Sequence, residues 1–332
     1  MTSCSFKKFG EKSLFRVLEN RDFLLLWSGE IISQFGDRLA QIALVGIYLA
    51  HTRGMSVGRS VPLMSSLFFF STLPVLIFGP FAGFFVDRWS RRNTLMMADF
   101  VRAGLVLVVP LFQLELKSIY YIYAVIFAVF AATCFFNPAK LAFIPALVPQ
   151  ERLLAANSLS NITRIIAMIG GVVAGGFVVA RIGVRGSFIL DALSFAFSGL
   201  LVANIKVKGN PASENIKSSS VGKVGKQIQE GFKFIWKRKQ IFLISLTLFI
   251  LMGAAGIGYV IVTVLVTKGL GLGTEGLSFA AGSLGAGMIA GSLIYGEFGE
   301  KLNRYFVVMV GSFLAGLCSL VLAEAQEIRL IL

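Results

Sequence analysis

Histidine is almost missing from this chain: His51 stands alone among 332 residues, beside three cysteines, Cys4, Cys134 and Cys318. One histidine cannot build a His-based metal site or a nucleophile–base triad, and it reads as an interfacial loop residue. Three widely spaced cysteines make neither a disulfide framework nor a zinc knuckle. Charge is also sparse, at 14% of residues, and the acids are the scarcer sign, 17 against 31 Lys and Arg. The sequence has no glycine loop followed by Lys-Ser/Thr, no H-E-x-x-H and no G-x-S-x-G. Those absences exclude an ATP-driven pump and the commoner hydrolases, so an enzyme, a metal or a cofactor is not expected. If the chain moves a solute, the energy comes from an ion gradient.

What fills the sequence instead is apolar side chain, 56% of the total with 31 Phe, and the mean hydropathy is +0.80. Soluble domains lie nearer half apolar and a quarter charged, so lipid is the solvent. A spanning helix needs about 20 apolar residues. Such runs fall at 23–50, 61–86, 94–113, 119–137, 157–180, 186–205, 241–267, 275–297 and 305–323. The net charge of +14 does not point to nucleic acid, because the Lys and Arg sit in short runs between apolar stretches. With the N-terminus in the cytoplasm, those cations are about threefold more numerous inside than outside. The expectation is an all-α, multi-pass protein of the cell membrane, in the inner or plasma membrane, with its N-terminus cytoplasmic.

Residues 1–22 carry Lys7, Lys8, Lys12, Arg16 and Arg21 with no apolar run, which reads as a cytoplasmic segment rather than a cleaved signal. Residues 23–205 form a six-helix half. Residues 206–240 form a basic cytoplasmic linker, in which Ile228, Phe232 and Ile235 recur at helical spacing beside lysines. That pattern suits a helix lying on anionic membrane lipids. Residues 241–332 supply a partial second half with three spans.

Charges inside spans are costly, about 2.5–3.5 kcal/mol each on insertion scales, so they face a cavity or one another. In the first span Glu30, Gln34, Asp37 and Gln41 share one helical stripe, with Arg38 beside it. Asp37 lies halfway along and is the candidate to bind a proton or a substrate cation; the alternative is a fixed pair with a base on another helix. Asp99 and Arg102 stand at i,i+3 and can pair, and Arg102 could instead reach Asp37 or Asp87. Asp191 is a further carboxylate inside a span. Gly170, Gly171, Gly175 and Gly176, and Gly282, Gly285, Gly287 and Gly291, give two helices small faces for close packing. An internal repeat links the halves: Gly83, Asp87, Arg88 and Arg91 recur in offset as Gly296, Glu300, Lys301 and Arg304.

The loop Gly83-x-x-x-Asp87-Arg88-x-x-Arg91-Arg92 resembles the signature of the major facilitator superfamily. Ser33-Gln34-Phe35-Gly36-Asp37, Phe136-Asn137-Pro138-Ala139-Lys140 and Ala155-Ala156-Asn157-Ser158-Leu159 resemble its drug-efflux branch, which includes macrolide-efflux-like and siderophore-exporter-like proteins. The resemblance implies two six-helix halves working by alternating access, with protons as coupling ion and an amphiphilic drug or siderophore as small-molecule substrate. It also implies that Gly83, Asp87, Arg88, Arg91 and Arg92 gate the cytoplasmic side, with Glu300, Lys301 and Arg304 as their counterpart. Departures are Ser90 where the family has glycine, no arginine in span four, and no proline in the glycine-rich fifth span. Against a twelve-span plan these nine spans imply an incomplete second half. That leaves open a second chain supplying the remaining helices, a non-transporting remnant, or lipid or lysolipid translocation.

Overall fold

A computed structural model describes residues 16–112, 118–207, 230–231 and 233–298, together with 309–311, 313–314 and 316–317. Long helices dominate the described residues, and no strand occurs among them. A 3-10 turn, Arg16–Glu19, leads into α1, Arg21–His51. Asn20 caps α1 by accepting from the backbone of Asp22 and Phe23 at 3.0 and 3.1 Å, satisfying two of the helix's orphan donors. Its amide then donates to the Leu147 carbonyl at 2.7 Å, tying the start of α1 to a neighbouring helix end. There follow α2 (Val57–Val86), α3 (Arg91–Leu111) and α4 (Ile119–Leu147). Pro62, Pro74 and Pro80 lie within α2; in spanning helices prolines are tolerated where neighbouring groups and local backbone adjustments satisfy the carbonyls they free.

The next helical run, Leu153–Ala203, is 51 residues long, about 76 Å if straight and far beyond a bilayer core. It breaks at Gly183, whose φ of 73° lies in the left-handed region that suits glycine. We label its arms α5 (153–182) and α6 (184–203). Contacts with α1 give their directions. Thr163, Gly171 and Gly175 meet Trp27, Arg38 and Ile42, while Ser198, Ser194 and Val184 meet Gly29, Gly36 and Gly46. Positions rise along one arm and fall along the other, so the arms are antiparallel and both flank α1. The spans expected at 157–180 and 186–205 are these two arms. A Cβ on Gly36 would run into Ser194 and Asp191, so the absent side chain is what permits this close approach.

Beyond the linker come α7 (Lys239–Val264), a π turn at Leu265–Gly269, and α8 (Gly273–Phe298). Among the described residues five helical stretches are long and apolar enough to cross a membrane: Val57–Val86, Arg91–Leu111, Ile119–Leu147, Gln150–Ala203 and Lys239–Gly269. α1 has the length but carries polar residues at its centre. The span expected at 305–323 is described only at a few helical positions, and Ile228 and Phe232 of the expected amphipathic helix lie outside the described residues. Residues 233–237 are helical, with Trp236 exposed and stacked edge-on against Phe242 at 5.2 Å.

One expected boundary needs correction. Span four was expected to end at 137, before Pro138, yet α4 continues to Leu147 with Pro138 and Pro145 inside it. Ala139, Phe143, Ile144 and Leu147 are all buried in an apolar cluster with Phe23, Leu26, Leu95 and Val202. Their burial outweighs the break that a proline otherwise imposes. Lys140, counted from sequence as a loop cation, is therefore a helix residue inside the bundle.

A second apolar cluster, with Ile42, Ile47, Tyr48, Val106, Ile122, Phe195 and Val264, fills the other end of the bundle. Between the clusters lies a layer of buried polar side chains: Glu30, Ser33, Asp99, Arg102, Ser160, Asp191, Ser194 and Ser198. The site is built in that layer.

Candidate functional site at the polar centre of the bundle

Toward the α1 N-terminal side, Glu30 is 2% exposed. Its Oε1 accepts from Lys140 Nζ at 2.6 Å and from Gln34 Nε2 at 2.7 Å. Its Oε2 accepts from Ser160 Oγ at 3.3 Å. Trp27 Nε1 donates to Thr163 Oγ1 at 2.8 Å one turn away. Helices α1, α4 and α5 are thus joined through one carboxylate that has a cation and two neutral donors. Sequence reasoning found Glu30 and Gln34 but missed the role of Lys140. The available signal was a lone cation between apolar neighbours, with Ala139 before it and Leu141-Ala142-Phe143-Ile144 after it, though Asn137-Pro138 reads as a helix end.

At mid-depth three carboxylates from three helices surround one guanidinium. Arg102 of α3 pairs with Asp99 on its own helix, as the i,i+3 spacing allows, and donates through Nε to the Ala98 carbonyl at 3.4 Å. Its guanidinium lies 4.3 Å from the ring centres of both Phe136 and Phe195, a cation–π sandwich that fixes its plane. Ser198 Oγ donates to Asp99 Oδ2 at 2.8 Å. Asp191 of α6 is buried, with Ser194 Oγ at 3.4 Å from its Oδ1. The charge of Arg102 also acts on Asp37 and Asp191, and Asp37 and Asp191 act on each other.

Asp37 is the carboxylate left over. Among the described residues it makes no hydrogen bond and no ion pair, whereas Asp99 has both. Three acids sharing one arginine carry excess negative charge in a layer poor in water. A bound proton or an incoming cation relieves it. Arg102 turns to Asp99 and not to Asp87, so the fixed pair weighed for Asp37 is made by Asp99 instead.

Next to Asp37 on α1, Arg38 Nη1 donates to Gln41 Oε1 one turn further on at 2.9 Å, and Gln41 Nε2 donates to the Tyr259 hydroxyl of α7 at 3.4 Å. The polar stripe of α1 thereby extends to α7. Further contacts join residues 268 and 278 to earlier helices toward the end carrying the α1–α2 turn. Lys268 Nζ donates to the Thr52 and Met55 carbonyls at 2.6 and 3.0 Å, and Ser278 Oγ donates to the Val172 carbonyl at 2.8 Å.

The loop between α2 and α3 stands at the opposite end. Asp87 is exposed and closes α2, its N–H donating to the Gly83 carbonyl at 3.0 Å. Arg88 donates to the Phe84 carbonyl at 2.8 Å and covers the Phe84 ring at 3.4 Å. Arg92 Nε donates to the Val202 carbonyl at 3.3 Å and its guanidinium also reaches that of Ala203. It therefore caps the C-terminal end of α6, where carbonyls lack helical partners and a cation is favoured. Arg91 keeps a buried Nε without an acceptor among the described residues. A groove of about 610 Å³ opens beside this loop, lined by Arg88, Trp89, Asn93, Met97, Val101 and Phe135. Glu300, Lys301 and Arg304, the expected counterpart of this loop, lie outside the described residues.

Comparison with known proteins accounts for this architecture. The family model of the Major Facilitator Superfamily matches residues 26–328. The chain is similar to YkuC of Bacillus subtilis, described as an uncharacterized MFS-type transporter, with 28% identity over 92% of this chain and 71% of that protein. It is 26% identical to macrolide efflux protein A of Streptococcus pyogenes, over 89% of this chain and 71% of that protein. It is 25% identical to the putative bacilysin exporter BacE of Bacillus subtilis, over 87% of this chain and 70% of that protein. An all-α membrane fold with buried charges at mid-depth, the signature loop between α2 and α3, and a family match over most of the sequence lead to one conclusion: the chain belongs to the major facilitator superfamily of transporters.

Proposed function

We propose that this chain is a secondary active transporter that exports amphiphilic small molecules, a drug or a siderophore, in exchange for protons. The observation that carries the reading is Asp37: a mid-depth carboxylate with no hydrogen bond or ion pair among the described residues, beside a guanidinium already claimed by Asp99. Such a group can take up a proton on one side of the membrane and give it up on the other. The efflux names of two relatives support the direction of transport.

In this reading α1–α6 form one half and α7 onward belongs to the second. The N-terminus is cytoplasmic in the cell membrane, as the bias of Lys and Arg supports. The contacts through Tyr259, Lys268 and Ser278 then close the external side, and the loop of Asp87, Arg88, Arg91 and Arg92 lies on the cytoplasmic side, where alternating access requires a second closure.

The test is transport in proteoliposomes under an imposed proton gradient, with a macrolide and an amphiphilic dye as solutes. Asp37→Asn is expected to lose gradient-driven transport while keeping folding and solute exchange without a gradient. Equal gradient-driven uptake by wild type and Asp37→Asn would remove Asp37 from the coupling role.

A further inference from the structure

Among the described residues, the charged side chains at the bundle centre that make no ion pair are Asp37, Asp191 and Arg38, and Arg38 is the one cation of the three. Lys140 has Glu30 at 2.6 Å and Arg102 has Asp99, but Arg38 makes no ion pair among the described residues. Its Nη1 is used by the neutral Gln41 amide at 2.9 Å, and its Nε is buried with no acceptor. Asp37 is adjacent in sequence, yet successive residues on a helix point in different directions, and its carboxylate acts on Arg38 only through space.

The unpaired acids and the unpaired base differ chemically. A carboxylate can discharge itself by taking a proton, whereas a guanidinium stays protonated under all working conditions. Arg38 therefore remains a cation through every stage of a transport cycle. At this depth it requires an anion or water. Its surroundings are those of a donor site. The stem of Arg38 lies against Gly171 of α5, where an added Cβ would collide with it, so the guanidinium is held in place. Gln41 links it to the Tyr259 hydroxyl at 3.4 Å, and that phenol, having accepted from Gln41, can donate its own proton. Guanidinium and phenol converge at the seam between α1 and α7, where the two halves meet.

We propose that this seam binds a carboxylate of the substrate, so that the transported molecules are amphiphilic organic acids or zwitterions, and that Arg38 is the residue that selects for the negative charge. The planar fork of a guanidinium matches a carboxylate in two parallel hydrogen bonds, an arrangement lysine cannot reproduce. The proposal rests on the transporter reading above and narrows its substrate class.

Two fluorescent probes that share one dansyl ring and a similar chain length, dansyl-aminohexanoate with a carboxylate and monodansylcadaverine with an ammonium, separate the possibilities. Each is titrated into the full chain in lipid nanodiscs, with empty nanodiscs as background. Tighter binding of the carboxylate probe is expected. Arg38→Gln should weaken it about tenfold or more, the loss typical of a charge-assisted bond, and leave the ammonium probe unchanged or tighter. Arg38→Lys should fall between, and provides the readout if Arg38→Gln does not fold. A carboxylate affinity untouched by either variant overturns the proposal. Tighter binding of the ammonium probe by wild type overturns it while leaving the transporter reading standing, and binding of neither probe removes both.

Discussion

The Lys140 side chain is 12% exposed and that of its partner Glu30 only 2%, so each has given up most of its hydration for the other. Removing one member leaves the other buried and uncompensated, which costs about 3–5 kcal/mol, whereas replacing both with neutral groups is much cheaper. Lys140→Met is therefore expected to lower the unfolding temperature in detergent sharply. Adding Glu30→Gln should restore most of it, because Gln34 and Ser160 can still bond the amide. A double variant no more stable than Lys140→Met would show that the ion pair is not the source of the loss. The sequence exposed half of this pair. Glu30 stands out because it interrupts an apolar span, but Lys140 follows Asn137-Pro138, and that dipeptide reads as a helix end. Only the buried apolar residues beyond it reveal that the helix goes on.

Among elements, the α5–α6 hairpin depends on a single residue. Gly183 adopts φ 73°, and an L side chain in that region costs about 1 kcal/mol or more. Gly183→Ala is expected to lower thermal stability by at least that amount. Gly104→Ala is the control: it lies within α3, and a Cβ there meets nothing within 4 Å, so it should be neutral or slightly stabilising. Equal effects of the two substitutions would mean that the break at Gly183 carries no conformational demand. The first eight spans, those that fall on described helices, were legible in the sequence because hydropathy over about 20 residues is set by lipid, not by neighbours. Their partners were not. That α5 and α6 both flank α1 follows from Gly36 opposite Ser194 and Gly175 opposite Ile42, pairings between residues far apart in the chain.

At the scale of the whole molecule, orientation and closure are the properties to test. Arg53 and Trp89 are both exposed, at opposite ends of the bundle. In a chain whose three cysteines are replaced by serine, Arg53→Cys should react with a membrane-impermeant maleimide on intact cells. Trp89→Cys should react only after the cells are opened. Reversed labelling would turn the protein over and place the Lys268 contacts with Thr52 and Met55 on the cytoplasmic side.

Sequence alone determined the solvent of this protein, its helical class, its family resemblance and the fact that α1 carries acids where lipid forbids them. Each of these follows from local composition or from spacing along one helix. Which charges neutralise which was decided only by tertiary structure, because it depends on how α3, α4, α5 and α6 approach α1. The approach hands Arg102 to Asp99 and Lys140 to Glu30, and among the described residues it leaves Asp37, Asp191 and Arg38 without an ion pair of their own.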